Sequence, residues 1–269
     1  MKCFQKAVTR TITGAALAGF LLISNTPWSP SAALDLKITK GALILEGKIE
    51  TGDHVSFRNF LSERSNFEKM NGEVFLASQG GNVIEALKIG YLIRHLRLST
   101  DAPSRPPPSG RSSVILPIDL AKPRNYQCTS ACFLLYVAGI YRHFVWAGRL
   151  GIHRPQVEHK PIGTTEKEVS AATDEMRNMI KLYLETMNVP DKYLDIMYSI
   201  PPNEVHWLTQ TEINSDLKGY VSEIRALLET KCDSHFLEKQ SNEIDRCVAK
   251  TNAELRAEAW SKIFRDTGE

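Results

Sequence analysis

The sequence predicts an α/β domain with mostly parallel strands, followed by a helical tail. Three observations carry this. A short apolar strand, a glycine turn and a helix follow one another over residues 74–93, and the same order returns around Ser130. Alternating strands and helices pair in parallel through crossover helices. Beyond residue 222 the pattern is charged and helical, with no strand signal. Composition agrees: of 269 residues, 42% are hydrophobic and 24% charged, ordinary globular values. A chain of this length buries a core without metals or a dense disulfide net. Lys+Arg 33 against Asp+Glu 31 leaves a net charge of +2, which gives no electrostatic footprint for nucleic acid.

The elements are read in order. Residues 1–33 read as a secretory signal peptide. Lys2, Lys6 and Arg10 precede an apolar run of about a dozen residues, and Ser31-Ala32-Ala33 supplies a small-x-small site. A spanning helix needs about 20 apolar residues, so the run is short for one. Cleavage after Ala33 gives a periplasmic or secreted protein; the alternative is an uncleaved N-terminal membrane anchor. Export means an oxidising compartment, where disulfides persist. The mature chain keeps Cys128, Cys132, Cys232 and Cys247. A bridge between Cys232 and Cys247 is expected in the tail, although spacing alone does not fix connectivity. Cys128 and Cys132 flank Ser130 and pair only if the local backbone allows it. No second cysteine or histidine pair stands at zinc spacing near them, so no metal is expected.

Residues 34–222 form the predicted α/β domain. Strands are expected at 34–38 and 43–49, punctuated by Gly41 and Gly47. Asp53 reads as the N-cap of a helix from 54 to about 70. Residues 74–78 read as a buried strand, and Asn82 starts the helix after Gly80-Gly81. Residues 100–112, with Pro103, Pro106, Pro107 and Pro108, read as a surface loop. A strand follows at 114–116, a helix from Ser130, strands at 142–146 and 150–152, and helix over 165–199 broken at Pro190. Residues 223–269 are a helical extension.

Three segments stand out chemically. Ser78-Gln79-Gly80-Gly81-Asn82 lies between strand and helix, where glycines allow a sharp turn and leave amides free for a developing oxyanion. Cys128-Thr129-Ser130-Ala131-Cys132 sets a serine among small residues at the mouth of an apolar helix. Ile152-His153-Arg154-Pro155 places a histidine at a strand end. Each alone reads as readily as a plain turn, an N-cap or a structural histidine. His143, His159, His206 and His235 lie in less defined contexts.

In this order the three segments resemble the Clp protease proteolytic subunit and the wider Clp-protease/crotonase superfamily, over about residues 41–221. The resemblance is strongest to exported Clp-like proteins whose serine segment reads Cys-x-Ser-Ala-Cys. It implies a spiral of βαβ units and a set of roles. Ser130 is then the nucleophile and His153 the general base. The Gly81 and Ala131 amides form the oxyanion hole, with Gly80 shaping the turn. Gln79 stands where the family has proline. The family's aspartate should precede a Leu-(Ser/Thr)-x-x-Glu segment; here Leu208-Thr209-Gln210-Thr211-Glu212 follows Asn203 and Glu204, with no aspartate. Glu204 is the nearest carboxylate for a third member, and Asn203 an uncharged orienter. The resemblance implies an exported serine hydrolase, a peptidase acting on peptide or protein without a cofactor, and a homo-oligomer. A non-catalytic Clp-like scaffold or binding protein is the alternative. Crotonase-type acyl-CoA chemistry fits export poorly.

Overall fold

The computed structural model describes residues 34–102, 127–144, 149–156, 164–239 and 241–265. The expected signal peptide, the strand at 114–116 and His159 lie outside the described residues. Within them, no helix is long and apolar enough to cross a membrane.

The chain opens with a hairpin, β1 (Asp35–Thr39) and β2 (Ala42–Glu46), antiparallel with Thr39 opposite Ala42. Lys40 and Gly41 both take positive φ, 51° and 85°, as a two-residue hairpin turn matched to strand twist requires. The helix expected at 54–70 is two: α1 (Asp53–Ser62) and α2 (Arg64–Lys69), parted by extended Glu63. Nor does Asp53 cap it. Its buried carboxylate instead accepts the Glu50 and Leu34 amides, at 2.6 and 3.3 Å. Gly52 takes the cap position, and Glu85 accepts the Gly52 and His54 amides at 3.2 and 2.9 Å. A long-range carboxylate thus does what the local motif promised of Asp53.

Next come β3 (Glu73–Ala77), α3 (Val83–His95), β4 (Ser99–Ala102), β5 (Gln127–Thr129), α4 (Ala131–Val137), β6 (Tyr141–Phe144) and β7 (Arg149–Ile152). Two helices follow, α5 (Glu166–Thr186) and α6 (Lys192–Ser199), parted near Pro190 as expected. Then come β8 (His206–Trp207), α7 (Gln210–Glu212) with a π-helical turn Ile213–Leu217, β9 (Gly219–Tyr220), α8 (Ser222–Lys231) and α9 (Asn242–Phe264).

The strands form two sheets, in orders β1-β2-β3-β4-β6-β9 and β5-β7-β8. Pairing is parallel from β2 through β3 and β4 to β6, and between β5 and β7. The sheets meet where β3 ends: the Ser78 amide donates to the Gln127 carbonyl and Thr129 to Ser78, both at 3.1 Å, in parallel register. The fold is therefore mixed α/β, as the alternation of elements predicts.

All seven residues of α4 are buried. Its carbonyls are tied down individually: the Tyr183 hydroxyl donates to Leu134 at 2.7 Å and Thr100 to Tyr136 at 2.6 Å. At its end the Arg94 guanidinium donates to the carbonyls of Val137, Ala138 and Gly139.

The helical tail packs back on the domain. Trp260 of α9 is buried beside Phe67 and donates its indole N–H to the Leu61 carbonyl at 2.8 Å. A Cys232–Cys247 disulfide ties α9 to the end of α8. The described residues accordingly form one compact unit.

Candidate active site

Strand ends collect the three segments. Because β3 runs parallel to β5 at the Ser78–Cys128 bridge, and β5 parallel to β7, their carboxyl ends point the same way. Crevices outside such ends are where parallel sheets bind ligands. Gly80-Gly81 follows β3, Ser130 follows β5 and His153 follows β7. All four residues line one cleft of about 600 Å³.

The glycine turn is built by local bonds. The buried Ser78 hydroxyl accepts the Gly80 amide at 3.0 Å. The Gly80 carbonyl takes the Ile49 amide at 2.9 Å, and the Ile49 carbonyl takes Asn82 at 2.8 Å. That pairing with Ile49 leaves Gly81 its own amide, which no acceptor among the described residues takes. Gly80 and Gly81 have φ of 94° and 141°, and a Cβ on Gly80 would lie 2.6 Å from Ser130 Cβ and 2.9 Å from the Ala131 nitrogen. Only glycine brings the turn this close to the serine. The Ala131 amide likewise has no acceptor among the described residues.

Ser130 sits at φ 56°, ψ −125°. That is a strained backbone for a serine, of the kind that lifts a nucleophile out of a strand-to-helix turn. Its amide donates to the Gly151 carbonyl of β7 at 3.0 Å. Its hydroxyl makes no hydrogen bond among the described residues, and the residue lines the cleft. A Cys128–Cys132 disulfide closes beneath it, with both cysteines fully buried, so the bridge does not cover the serine.

His153 is half-buried. Its Nδ1 lies 3.1 Å from the Arg154 carbonyl. A carbonyl only accepts, so Nδ1 carries the proton and Nε2 keeps its lone pair. Burial holds the imidazole pKa below its ordinary value, opposed by that hydrogen bond. The ring is therefore neutral at neutral pH. Among the described residues Ser130 and His153 are not hydrogen-bonded to each other, a common feature of unliganded sites.

The third member differs from the sequence expectation. Glu204 is exposed, makes no hydrogen bond to His153, and its amide closes a turn on Pro201 at 3.0 Å. Asn203 is exposed too. The group behind the imidazole is the Arg154 main chain. The other histidines lie elsewhere. His206 faces Glu212 at 3.5 Å, and His235 is exposed beside Glu238. His143 binds Asp101 at 2.8 Å in a separate cleft, a carboxylate–histidine pair that the sequence analysis did not find.

The far wall was also missed. Thr173 and Met176 of α5 and Tyr198 of α6 line the cleft. The Arg177 guanidinium lies 4.7 Å from the Tyr198 ring centroid and pairs with Asp195 at 2.9 Å. Wide helical spacing gave these residues no motif to recognise.

No family model matches the sequence. No curated protein matches it either. Among solved structures, a mutant of ClpP1 from Listeria monocytogenes superposes with a TM-score of 0.43 and 15% sequence identity, over 65% of this chain and 86% of that chain. A likeness of this size assigns neither family nor activity.

Proposed function

We propose that the protein is an exported serine hydrolase that cleaves peptide bonds. The observation that supports it most is the state of His153. With Nδ1 engaged by a carbonyl, Nε2 is basic, in the same cleft as a strained Ser130 whose hydroxyl, like the Gly81 and Ala131 amides, has no partner among the described residues.

In this reading Ser130 Oγ attacks the substrate carbonyl carbon and its proton passes to His153 Nε2. The carbonyl oxygen gains negative charge, received by the Gly81 and Ala131 amides. The imidazolium returns the proton to the leaving amine as the C–N bond breaks, and water then releases the acyl group by the same route. Arg154 contributes an oriented carbonyl where a triad has a carboxylate. A carbonyl fixes the tautomer but carries no full charge, so turnover is slow relative to a full triad. Export is supported by the N-terminal sequence and fits two closed disulfides. The family resemblance further implies association into a homo-oligomer.

A fluorophosphonate probe tests the reading: Ser130 Oγ bonds to phosphorus, fluoride leaves, and His153 takes the proton. The mature protein is expected to label at one site and Ser130→Ala to label at background. A folded wild type that stays unlabelled, beside a reactive control hydrolase, would favour the non-catalytic scaffold. That second reading draws on the sequence, which has no aspartate before Leu208, and on the lack of a carboxylate bonded to His153 among the described residues.

The labelling rate should also report the imidazole. Only neutral His153 accepts a proton, and its pKa is lowered from 6.5. The rate is expected to hold through neutral pH and fall on acidification with a midpoint below 6.5. A midpoint at or above that value would mean that a carboxylate reaches the ring.

A further inference from the structure

We propose that the Cys128–Cys132 disulfide is the positioning device of the site, setting the Ser130 hydroxyl and the Ala131 amide relative to each other. The inference rests on the hydrolase reading above.

A serine at φ 56°, ψ −125° persists only where its surroundings over-determine it. Ser130 is the middle residue of the span that the disulfide closes. The bridge holds the Cα atoms of Cys128 and Cys132 5.1 Å apart. Four extended residues would span about 13 Å. The chain must therefore reverse inside the span, with Ser130 at its apex. Cys128 is anchored in β5, opposite Leu150 of β7, while Cys132 lies in the first turn of α4. Main-chain bonds tie Thr129 to Ser78, just past the end of β3, and Ser130 to Gly151 of β7. Beside the main chain itself and the Phe133 amide, which donates to the Ser130 carbonyl at 3.0 Å, the disulfide is a second covalent link from that strand side to the helix side. The proposed nucleophile and one proposed oxyanion donor both lie within the closed ring. The bridge itself is buried beneath the turn, so it constrains Ser130 and leaves the cleft open.

The second disulfide supplies the control, because the Cys232–Cys247 loop holds no residue of the cleft. Cys128→Ala/Cys132→Ala and Cys232→Ala/Cys247→Ala are compared with wild type by fluorophosphonate labelling across probe concentration. This separates the limiting rate from the half-saturating concentration. Misplacement by an ångström costs up to about a hundredfold in rate, so the first pair is expected to lose at least about tenfold in limiting rate. Its half-saturating concentration should not change, and the second pair should match wild type in both. Near-ultraviolet circular dichroism checks folding, and Cys128→Val/Cys132→Ala refills part of the buried volume if the alanine pair unfolds. A folded variant labelling within about twofold of the wild-type limiting rate overturns the clamp and leaves the hydrolase reading standing. Equal losses in both double variants also overturn it, as a general stability effect. A wild type that never labels overturns the hydrolase reading and this inference with it.

Discussion

Replacing Gly80 with alanine is expected to slow Ser130 labelling by at least about a hundredfold, the scale of losing one oxyanion donor. Two separate effects add. At φ 94° an alanine is strained whatever space surrounds it, at a cost of about 1–3 kcal/mol. Its Cβ would also press on Ser130 Cβ and the Thr129 carbonyl, each at 2.6 Å, and on the Ala131 nitrogen at 2.9 Å. None of these is the soft end of a flexible side chain. Relief must come from moving the turn or moving the serine, and either parts the hydroxyl from the amides. Labelling kinetics with a thermal melt check this. The melting temperature should drop by several degrees and the limiting rate by far more than that loss explains. A Gly80→Ala protein labelling at the wild-type rate would show that the glycine turn and the serine are not coupled.

Arg94→Met should be the most damaging single change to stability. The guanidinium is buried at the carboxyl ends of two helices. It donates to Val137, Ala138 and Gly139 at the end of α4, and to Met187 at the end of α5. Cations are favoured at such ends, where carbonyls lack partners. Burial lowers the arginine's pKa, and the buried Arg142, itself pushed down to about 10, donates to the same Met187 carbonyl. Methionine keeps most of the volume and supplies no donor. Each buried carbonyl left without a donor costs about 1–3 kcal/mol. Arg142 still serves Met187, so a loss of about 3–5 kcal/mol is expected. For a domain of this size that lowers the melting temperature by roughly 10–15 °C. Arg94→Lys should recover only part, since an ammonium cannot fork to several carbonyls at once. A melt within about 2 °C of wild type for Arg94→Met would mean that water or a neighbour takes over these carbonyls.

What the sequence revealed followed from local signals. Strands β2, β3 and β7 and helix α3 are apolar runs bounded by glycine or a capping asparagine, and each was readable. The segments at Gly80, Ser130 and His153 were readable too, because each sits at a strand end. Their convergence on one cleft depends on parallel register across two sheets, which no local pattern encodes. Strand β4 was hidden because Ser99-Thr100-Asp101-Ala102 looks like a loop by composition. Strands β8 and β9, two residues each, are too short for any period. The Asp101–His143 pair arises from the register of β4 on β6, 42 residues apart in the chain. The family resemblance suggested Glu204 behind His153. The Arg154 carbonyl found there belongs to the backbone, which no motif of side chains can display.

The seat of Trp260 on Leu61 sets an order of events during synthesis. The two residues are 199 positions apart. A growing chain at about 5–20 residues per second needs roughly 10–40 s between making one and making the other. Through that interval the Leu61 carbonyl lacks its indole donor and the Phe67 ring its aromatic neighbour.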